Sequence, residues 1–336
     1  MGARAILVTG GAGFIGSNFV RLLLAEEAGL TVVNLDALTY AGHRANLADC
    51  LDHPRHVFVQ GDIRDAGLVA ELVRRHGIEG ILNFAAESHV DRSISGPQVF
   101  VETNVGGTLN LLVQARDLGL KRFLQVSTDE VYGSLGAAGR FTENSPLAPN
   151  SPYSASKAGA DHLVHAFHHT YGLDTVIVRS SNNYGPYQFP EKLIPLAIRH
   201  ALADQPVPVY GSGANVRDWL HVEDNCRAIW AAYTRGRAGE VYNVGGGNER
   251  TNLEVVRAIL ARLGKPTSLV AHVADRPGHD LRYAVDAGKI ARELGWHPAV
   301  DFADGIARTV DWYREHREWI EQVAVDAGNR DTGKSH

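Results

Sequence analysis

Five apolar and β-branched residues, Ala5-Ile6-Leu7-Val8-Thr9, run directly into Gly10-Gly11-Ala12-Gly13-Phe14-Ile15-Gly16. A helix must start at once, because Ser17–Glu27 carries apolar residues at helical spacing. A buried strand, a glycine turn and a helix in that order restrict the backbone severely. Gly11 and Gly13 permit the tight turn and let the main chain approach a pyrophosphate. Gly16 lets the helix pack closely, and the helix amino end favours negative phosphate. The spacing alone is weak evidence, but the strand-to-helix context is what a dinucleotide site demands.

The same alternation then repeats. Thr31–Asp36, His56–Gln60, Gly80–Ala85 and Arg122–Ser127 read as strands buried on both faces, separated by helical patterns at Gly67–His76 and Gly106–Leu118. A helix over Tyr153–Thr170 and a strand at Thr175–Arg179 continue it. The fold class expected is α/β, a Rossmann-type doubly wound parallel sheet with a smaller α/β substrate-binding domain. Residues 1–181 are expected to form the first domain and 182–325 the second, with the chain crossing between them and a disordered tail over 326–336. Asn182–Pro195 holds four glycine and proline breakers and is expected to lack regular structure. Beyond it the pattern predicts helices at Leu193–Ala203, Val222–Tyr233 and Phe302–Arg317, a strand at Glu240–Val244, and a helix capped by Thr251.

Asp36 stands twenty residues after Gly16, at the end of the second predicted strand. A carboxylate there accepts from both ribose hydroxyls and repels a 2′-phosphate, which favours NAD over NADP. Asp62 and Ile63 follow the third strand, placed to meet the adenine. Ala85 and Ala86 end the fourth. With Gly10, Phe14 and Ile15 these complete the expected cofactor wall.

Composition excludes several classes. A net charge of −5 over 336 residues gives no basic field for nucleic acid. No apolar run nears the roughly 18 residues of a membrane span, and the first residues carry no export signal. Cys50 and Cys226 are far apart, in keeping with a reducing compartment. A cytoplasmic protein with no nucleic-acid or membrane partner is therefore expected. His162, His165, His168 and His169 lack companion ligands and read as a solvated or subunit-facing stripe, so no metal site is assigned. Gly245-Gly246-Gly247 reads as a turn.

Tyr153 and Lys157, four apart on one helix, project from one face. An ammonium beside a phenol lowers the phenol's pKa towards that of a general base, and the lysine can also bond the nicotinamide ribose. Thr128, at the end of the fifth strand, lies just upstream.

Ala86-Glu87-Ser88-His89-Val90-Asp91-Arg92-Ser93, Ser127-Thr128-Asp129-Glu130-Val131-Tyr132-Gly133 and Asn182-Asn183-Tyr184-Gly185-Pro186 occur in that order. Pro190-Glu191-Lys192-Leu193-Ile194-Pro195 and Asp275-Arg276-Pro277-Gly278-His279-Asp280 follow. On these segments the chain resembles the extended short-chain dehydrogenase/reductases and, within them, the dTDP-glucose 4,6-dehydratases. The resemblance spans Gly10 to about Trp312 and implies a lyase with tightly bound, recycled NAD. Such an enzyme oxidises the sugar at carbon 4, eliminates water across carbons 5 and 6, and returns the hydride to carbon 6.

Elimination needs a base and an acid that oxidation alone does not, and adjacent carboxylates supply both if their environments separate their pKa values. By resemblance Glu130 is the base, Asp129, kept protonated, is the acid, and Thr128 bonds the sugar near carbon 4. The resemblance also places Ser88, Asn182, Lys192, Leu193, Arg217, Asn252, Arg276 and His279 on the nucleotide sugar, and Thr103 and Asn183 on the cofactor. Arg217 suits a diphosphate through bidentate bonding. Ser180 departs from the cysteine frequent in the family. A homodimer through the helices at Gly106–Leu118 and Tyr153–Thr170 is implied as well. UDP- or CDP-sugar dehydratases, a nucleotide-sugar 4-epimerase and a non-catalytic NAD-binding regulator remain as alternatives. The epimerase has no use for Asp129 and Glu130 as an acid–base pair.

Overall fold

The computed structural model describes residues 4–275 and 279–332. In β1 (Arg4–Thr9), Ile6 and Val8 enter one apolar cluster while Ala5 and Leu7 enter another. That period of two on a strand buried on both sides is what a central parallel strand requires. There follow α1 (Phe14–Glu26), β2 (Leu30–Asp36), β3 (His56–Gln60), α2 (Ala66–His76) and β4 (Ile78–Asn83). Asp65 caps α2 by accepting from the Leu68 amide, and Gly77 ends it at φ +60°.

Two short helices, α3 (Val90–Ser95) and α4 (Pro97–Phe100), lead into a π-helical segment, Val101–Gly107, and then α5 (Thr108–Asp117). After β5 (Arg122–Thr128) comes α6 (Pro152–Tyr171), which opens on a capping box between Ser151 and Ser154 with Pro152 in its first turn. Val164 and Phe167 bury the inner face of α6, at roughly 2–3 kcal/mol each, and Tyr153 and Lys157 lie on that same inward face.

The chain continues through β6 (Thr175–Ser180), β7 (Asn182–Tyr184), α7 (Leu193–Leu202), β8 (Val207–Tyr210), β9 (Val216–His221) and α8 (Val222–Arg235). It then forms β10 (Val241–Val244), β11 (Glu249–Thr251), α9 (Asn252–Arg262), β12 (Val270–Val273), α10 (Gly288–Leu294), α11 (Phe302–Glu315) and α12 (Arg317–Thr332).

Seven parallel strands form the main sheet in the order β10-β6-β5-β4-β1-β2-β3. The order reverses between β1 and β4, where a doubly wound sheet opens a crevice at its carboxyl edge. α1 and α8 cover one face, and α2, α5 and α6 the other. The chain does cross back after residue 182: Val241–Val244 pairs with Ile177–Ser180 and completes the main sheet.

A third apolar cluster, with Tyr184, Trp219, Val256, Val310 and Tyr313, holds α7, α9 and α11 together beyond the carboxyl edge. Two findings correct the sequence reading. Asn182–Tyr184, expected to be irregular, pairs with Trp219–His221, because a neighbouring strand satisfies its backbone despite the adjacent breakers. Residues 326–332, expected to be disordered, extend the helix α12, whose stretch Arg317–Ala327 carries no proline or glycine. Residues 333–336 lie outside the described residues.

Candidate active site

The glycine loop shows why bulkier residues are excluded. Gly10 sits at φ +71°, and a Cβ there would lie 2.6 Å from the Ala85 amide nitrogen. A Cβ on Gly16 would come within 2.2 Å of the Gly10 carbonyl, so Gly16 serves the close contact of α1 with its own loop. Gly11 faces away from the cleft, fitted against the Asn34 amide group at 2.1 Å from a built Cβ. A side chain at this position has no room, which keeps the backbone of the loop close to the sheet. Gly13 is the N-cap of α1 and no side chain caps it. The amides of Phe14, Ile15 and Gly16 therefore point outward at the positive end of the helix.

One cleft at the switch point is lined by Gly10, Gly13, Phe14, Ile15, Gly16, Asp36, Asp62, Ile63, Ala85, Ala86, Ser88, Thr103, Tyr153, Lys157 and Lys192. Asp36 is held there by the amides of Ala12 (2.8 Å to Oδ2) and Leu38 (2.8 Å to Oδ1). Asp62 pairs with Arg64 at 2.7 Å. An uncapped helix end, a glycine cradle and a strand-end carboxylate fit a dinucleotide whose ribose keeps its 2′-hydroxyl.

The π-helical segment positions the wall beside it. Asn104 accepts from the Glu87 amide (2.9 Å) and donates to the Glu87 carbonyl (3.0 Å) and to Ser156 (2.8 Å). This ties the stretch after β4 to α6. Ser88 meets the Tyr40 hydroxyl at 2.9 Å, and Lys192 donates to the Ser88 carbonyl at 3.2 Å. Ser180 meets Asn225 at 2.7 Å.

The Thr128 hydroxyl ends β5 and accepts from the Glu130 amide at 3.2 Å, capping the 3₁₀ turn Asp129–Tyr132. Asp129 is buried, and its Oδ2 has no hydrogen-bond partner among the described residues. Burial, then the charges of Glu130 and Asp218, hold its carboxyl well above the ordinary carboxylate range, against the pull of Arg217. Two adjacent acids thus sit in different environments, one dry and one half-buried.

Tyr153 is buried beside them. Burial first, and Glu130 next, push its phenol well above the ordinary value, with the Thr128 hydroxyl opposing. This corrects the expectation that Lys157 lowers it. The Lys157 ammonium donates instead to the Val126 carbonyl at 2.7 Å, and burial pulls its own pKa down to about 8. Desolvation therefore outweighs the attraction expected from helical spacing alone.

A second cluster lies above the carboxylates. Arg217 is buried on β9, its guanidinium 4.4 Å from the centre of the Tyr283 ring and donating to the Asp280 carbonyl at 3.0 Å. Asn252 opens α9, and its amide donates to the Asn215 carbonyl at 3.0 Å. His279 meets Asp275 at 2.6 Å. Asn182 and Asn183 lie on β7, each with a buried Oδ1 lacking a partner among the described residues. Leu193 begins α7 directly after Lys192. Arg276 lies outside the described residues.

The sequence reading missed Tyr40 and Glu191, which line the cleft, and Tyr283, whose phenol feels the charge of Glu130. Glu191 stands within the segment Pro190–Pro195 and its position was legible, whereas Tyr40 and Tyr283 arrive through tertiary packing. Among the described residues no group of three His, Cys, Asp or Glu side chains is placed to hold a metal. His162, His165 and His169 are exposed on the outer side of α6.

A family profile described as GDP-mannose 4,6 dehydratase matches residues 7–309. A dTDP-glucose 4,6-dehydratase of Xanthomonas campestris pv. campestris (strain B100) is 58% identical over 335 residues, covering 94% of this chain and 95% of that protein. The solved dTDP-glucose 4,6-dehydratase DesIV of Streptomyces venezuelae, with NAD and dTDP bound, is 59% identical and superposes with a TM-score of 0.92. That match covers 95% of this chain and 99% of DesIV. A UDP-glucose 4-epimerase of Thermotoga maritima, solved with UDP-glucose, is 30% identical with a TM-score of 0.86, covering 93% and 99% of the two chains. By the family match and by identity to relatives over nearly its whole length, this chain belongs to the GDP-mannose 4,6 dehydratase family.

Proposed function

We propose that this chain is an NAD-dependent dTDP-glucose 4,6-dehydratase, a hydro-lyase that forms dTDP-4-keto-6-deoxy-glucose. The observation that carries this is Asp129 beside Glu130. One acid is buried, its carboxyl held well above the ordinary carboxylate range, the other is half-buried, and both follow Thr128 at the tyrosine. Relatives at 50% identity and above that bear this activity name support the same reading.

Gly10, Gly13, the amides of Phe14 and Ile15, and Gly16 hold the pyrophosphate. Asp36 takes the adenine ribose, Asp62 and Ile63 flank the adenine, and Ala85, Ala86, Thr103 and Asn183 complete the wall. NAD, when bound, supplies the hydride acceptor for carbon 4, the donor for carbon 6, and a positive charge that favours the phenolate. Tyr153 takes the proton of the carbon 4 hydroxyl while Lys157 holds the nicotinamide ribose and Thr128 orients the sugar. The ketone so formed acidifies carbon 5. Glu130 removes the carbon 5 proton, and Asp129, already protonated, gives its proton to the departing carbon 6 hydroxyl. Glu130, which holds that proton, returns it to carbon 5, while the bound NAD would supply the hydride for carbon 6.

Ser88, Asn182, Lys192, Leu193, Arg217, Asn252, Arg276 and His279 hold the nucleotide diphosphate. Residues 1–181 form the cofactor domain and 182–325 the sugar-nucleotide domain, with α8 and β10 returning to the first. Among the described residues no helix is long and apolar enough to cross a membrane. The chain works as a cytoplasmic homodimer. Val101, Leu109 and Tyr171, exposed on the helices around α5 and α6, support that face as the contact.

The test is mass spectrometry of dTDP-, UDP- and CDP-glucose, each incubated with the purified protein. Loss of one water from dTDP-glucose, at least tenfold faster than from the others, is expected. An isomer of unchanged mass would favour the epimerase and refute the roles given to Asp129 and Glu130.

A further inference from the structure

Behind the catalytic helix lies a buried ion pair that the mechanism above does not use. Asp161, one helical turn after Lys157 on α6, accepts from Arg179 on β6 (2.8 Å) and from the Ser127 hydroxyl on β5 (3.0 Å), both at Oδ2. Asp161 is 2% exposed and Arg179 5%. Arg179 also donates to the Tyr132 hydroxyl at 3.0 Å. The other oxygen of Asp161, Oδ1, is buried with no hydrogen-bond partner among the described residues. A carboxylate held at one oxygen by a guanidinium and a hydroxyl is fixed in place, one helical turn from the lysine.

We propose that Asp161, oriented by Arg179 and Ser127, is a positioning residue that keeps the Lys157 ammonium charged inside the apolar wall of the cleft. The inference rests on the role given to Lys157 above. The other titratable and charged groups around this part of α6 are Tyr153 and the outward His162 on the helix itself, Asp129, Glu130 and Tyr132 on the turn after β5, and Arg179 on β6. Asp91, Arg92 and Glu102 belong to the helices packed on its far side. Of these, Arg92 lies over the Tyr40 ring and Glu102 meets Arg64. Burial draws the proton off Lys157, and Asp161 opposes that loss. The Val126 carbonyl aims the ammonium, while Asp161 sustains its charge without touching substrate or cofactor.

The test is the pH profile of kcat/KM for the full chain with its cofactor. In Asp161→Asn the alkaline limb shifts down by about one pH unit, a loss of about fivefold in rate at pH 8. Asp161→Asn leaves a buried guanidinium unpaired and can unfold the protein, so Asp161→Asn with Arg179→Met is measured beside it. The double variant keeps a packed interior and shows the same downward shift, while Asp161→Glu keeps the limb in place. An alkaline limb that stays put in the double variant overturns the proposal, whatever happens to its melting temperature. Full activity in Lys157→Met would instead overturn the role of Lys157 beneath it.

Discussion

Replacing Lys157 by methionine should abolish turnover and yet make the cofactor-free protein more stable. Lys157 is 4% exposed, and burial pulls its pKa from 10.5 to about 8. At 1.36 kcal/mol per pH unit, holding it charged in the fold costs about 3 kcal/mol. Below pH 8 the lysine is charged in both folded and unfolded chains, so the folded state bears the whole cost. Between pH 8 and 10.5 the unfolded chain binds more protons, and stability rises with pH as the cost is relieved. Methionine keeps the unbranched length but forfeits the bond to Val126, worth about 1 kcal/mol. The net gain at pH 7 is about 2 kcal/mol, or about 3 °C in a chain of 336 residues. Scanning calorimetry of both cofactor-free proteins at pH 7 and pH 10 checks this. The methionine variant should melt higher at pH 7, with the difference shrinking or reversing at pH 10. A variant that melts lower at pH 7, or whose advantage ignores pH, would refute the idea that lost hydration governs this lysine.

Further outcomes follow from the same geometry. Asp129→Asn should slow dehydration at least about a hundredfold by removing the acid. Because the folded carboxyl is raised, its stabilising protonation is fully present below about pH 4 and lost as pH rises through its folded pKa. Thermal melts above neutrality should therefore find the asparagine variant no less stable than the parent. Gly16→Ala drives a methyl into the Gly10 carbonyl. The protein should purify with little cofactor and bind NAD at least tenfold more weakly by calorimetric titration. Asp36→Ala removes the acceptor for two ribose hydroxyls and leaves the Ala12 and Leu38 amides without it. Weaker NAD binding and a smaller preference over NADP are expected from the two dissociation constants. Leu109→Arg, at a residue 40% exposed, should halve the mass seen by sedimentation if that face joins two copies.

The cofactor half of the fold was legible because its signals are local. A strand whose alternate residues enter two cores, a glycine turn and a helix of set spacing are each written within about twenty residues. The second half hid its strands for the opposite reason. Val207–Tyr210 pairs with Val270–Val273 some sixty residues later, and four-residue strands carry little periodicity. Val241–Val244 read correctly as a strand, but its place beside β6 depends on a chain crossing no local pattern encodes.

At the site, residue types and spacing gave the positions of Tyr153 and Lys157 but the wrong direction for the phenol. Spacing reports neighbours, whereas the pKa of a buried group is set first by the water it has lost. The packing of Gly11 on Asn34 is likewise seen only in the packed structure. The π-helical turn that sets Thr103 and Asn104 has no mark in the sequence beyond an ordinary helical run.

The central claim is an internal hydride transfer linked to elimination by Asp129 and Glu130. The most direct measurement is mass spectrometry and NMR of the product from dTDP-glucose deuterated at carbon 4, incubated in ordinary water without added cofactor. Loss of one water with the deuterium recovered at carbon 6 is the predicted result. Deuterium lost to solvent, or retained at carbon 4 of an isomer that has kept its water, would contradict it.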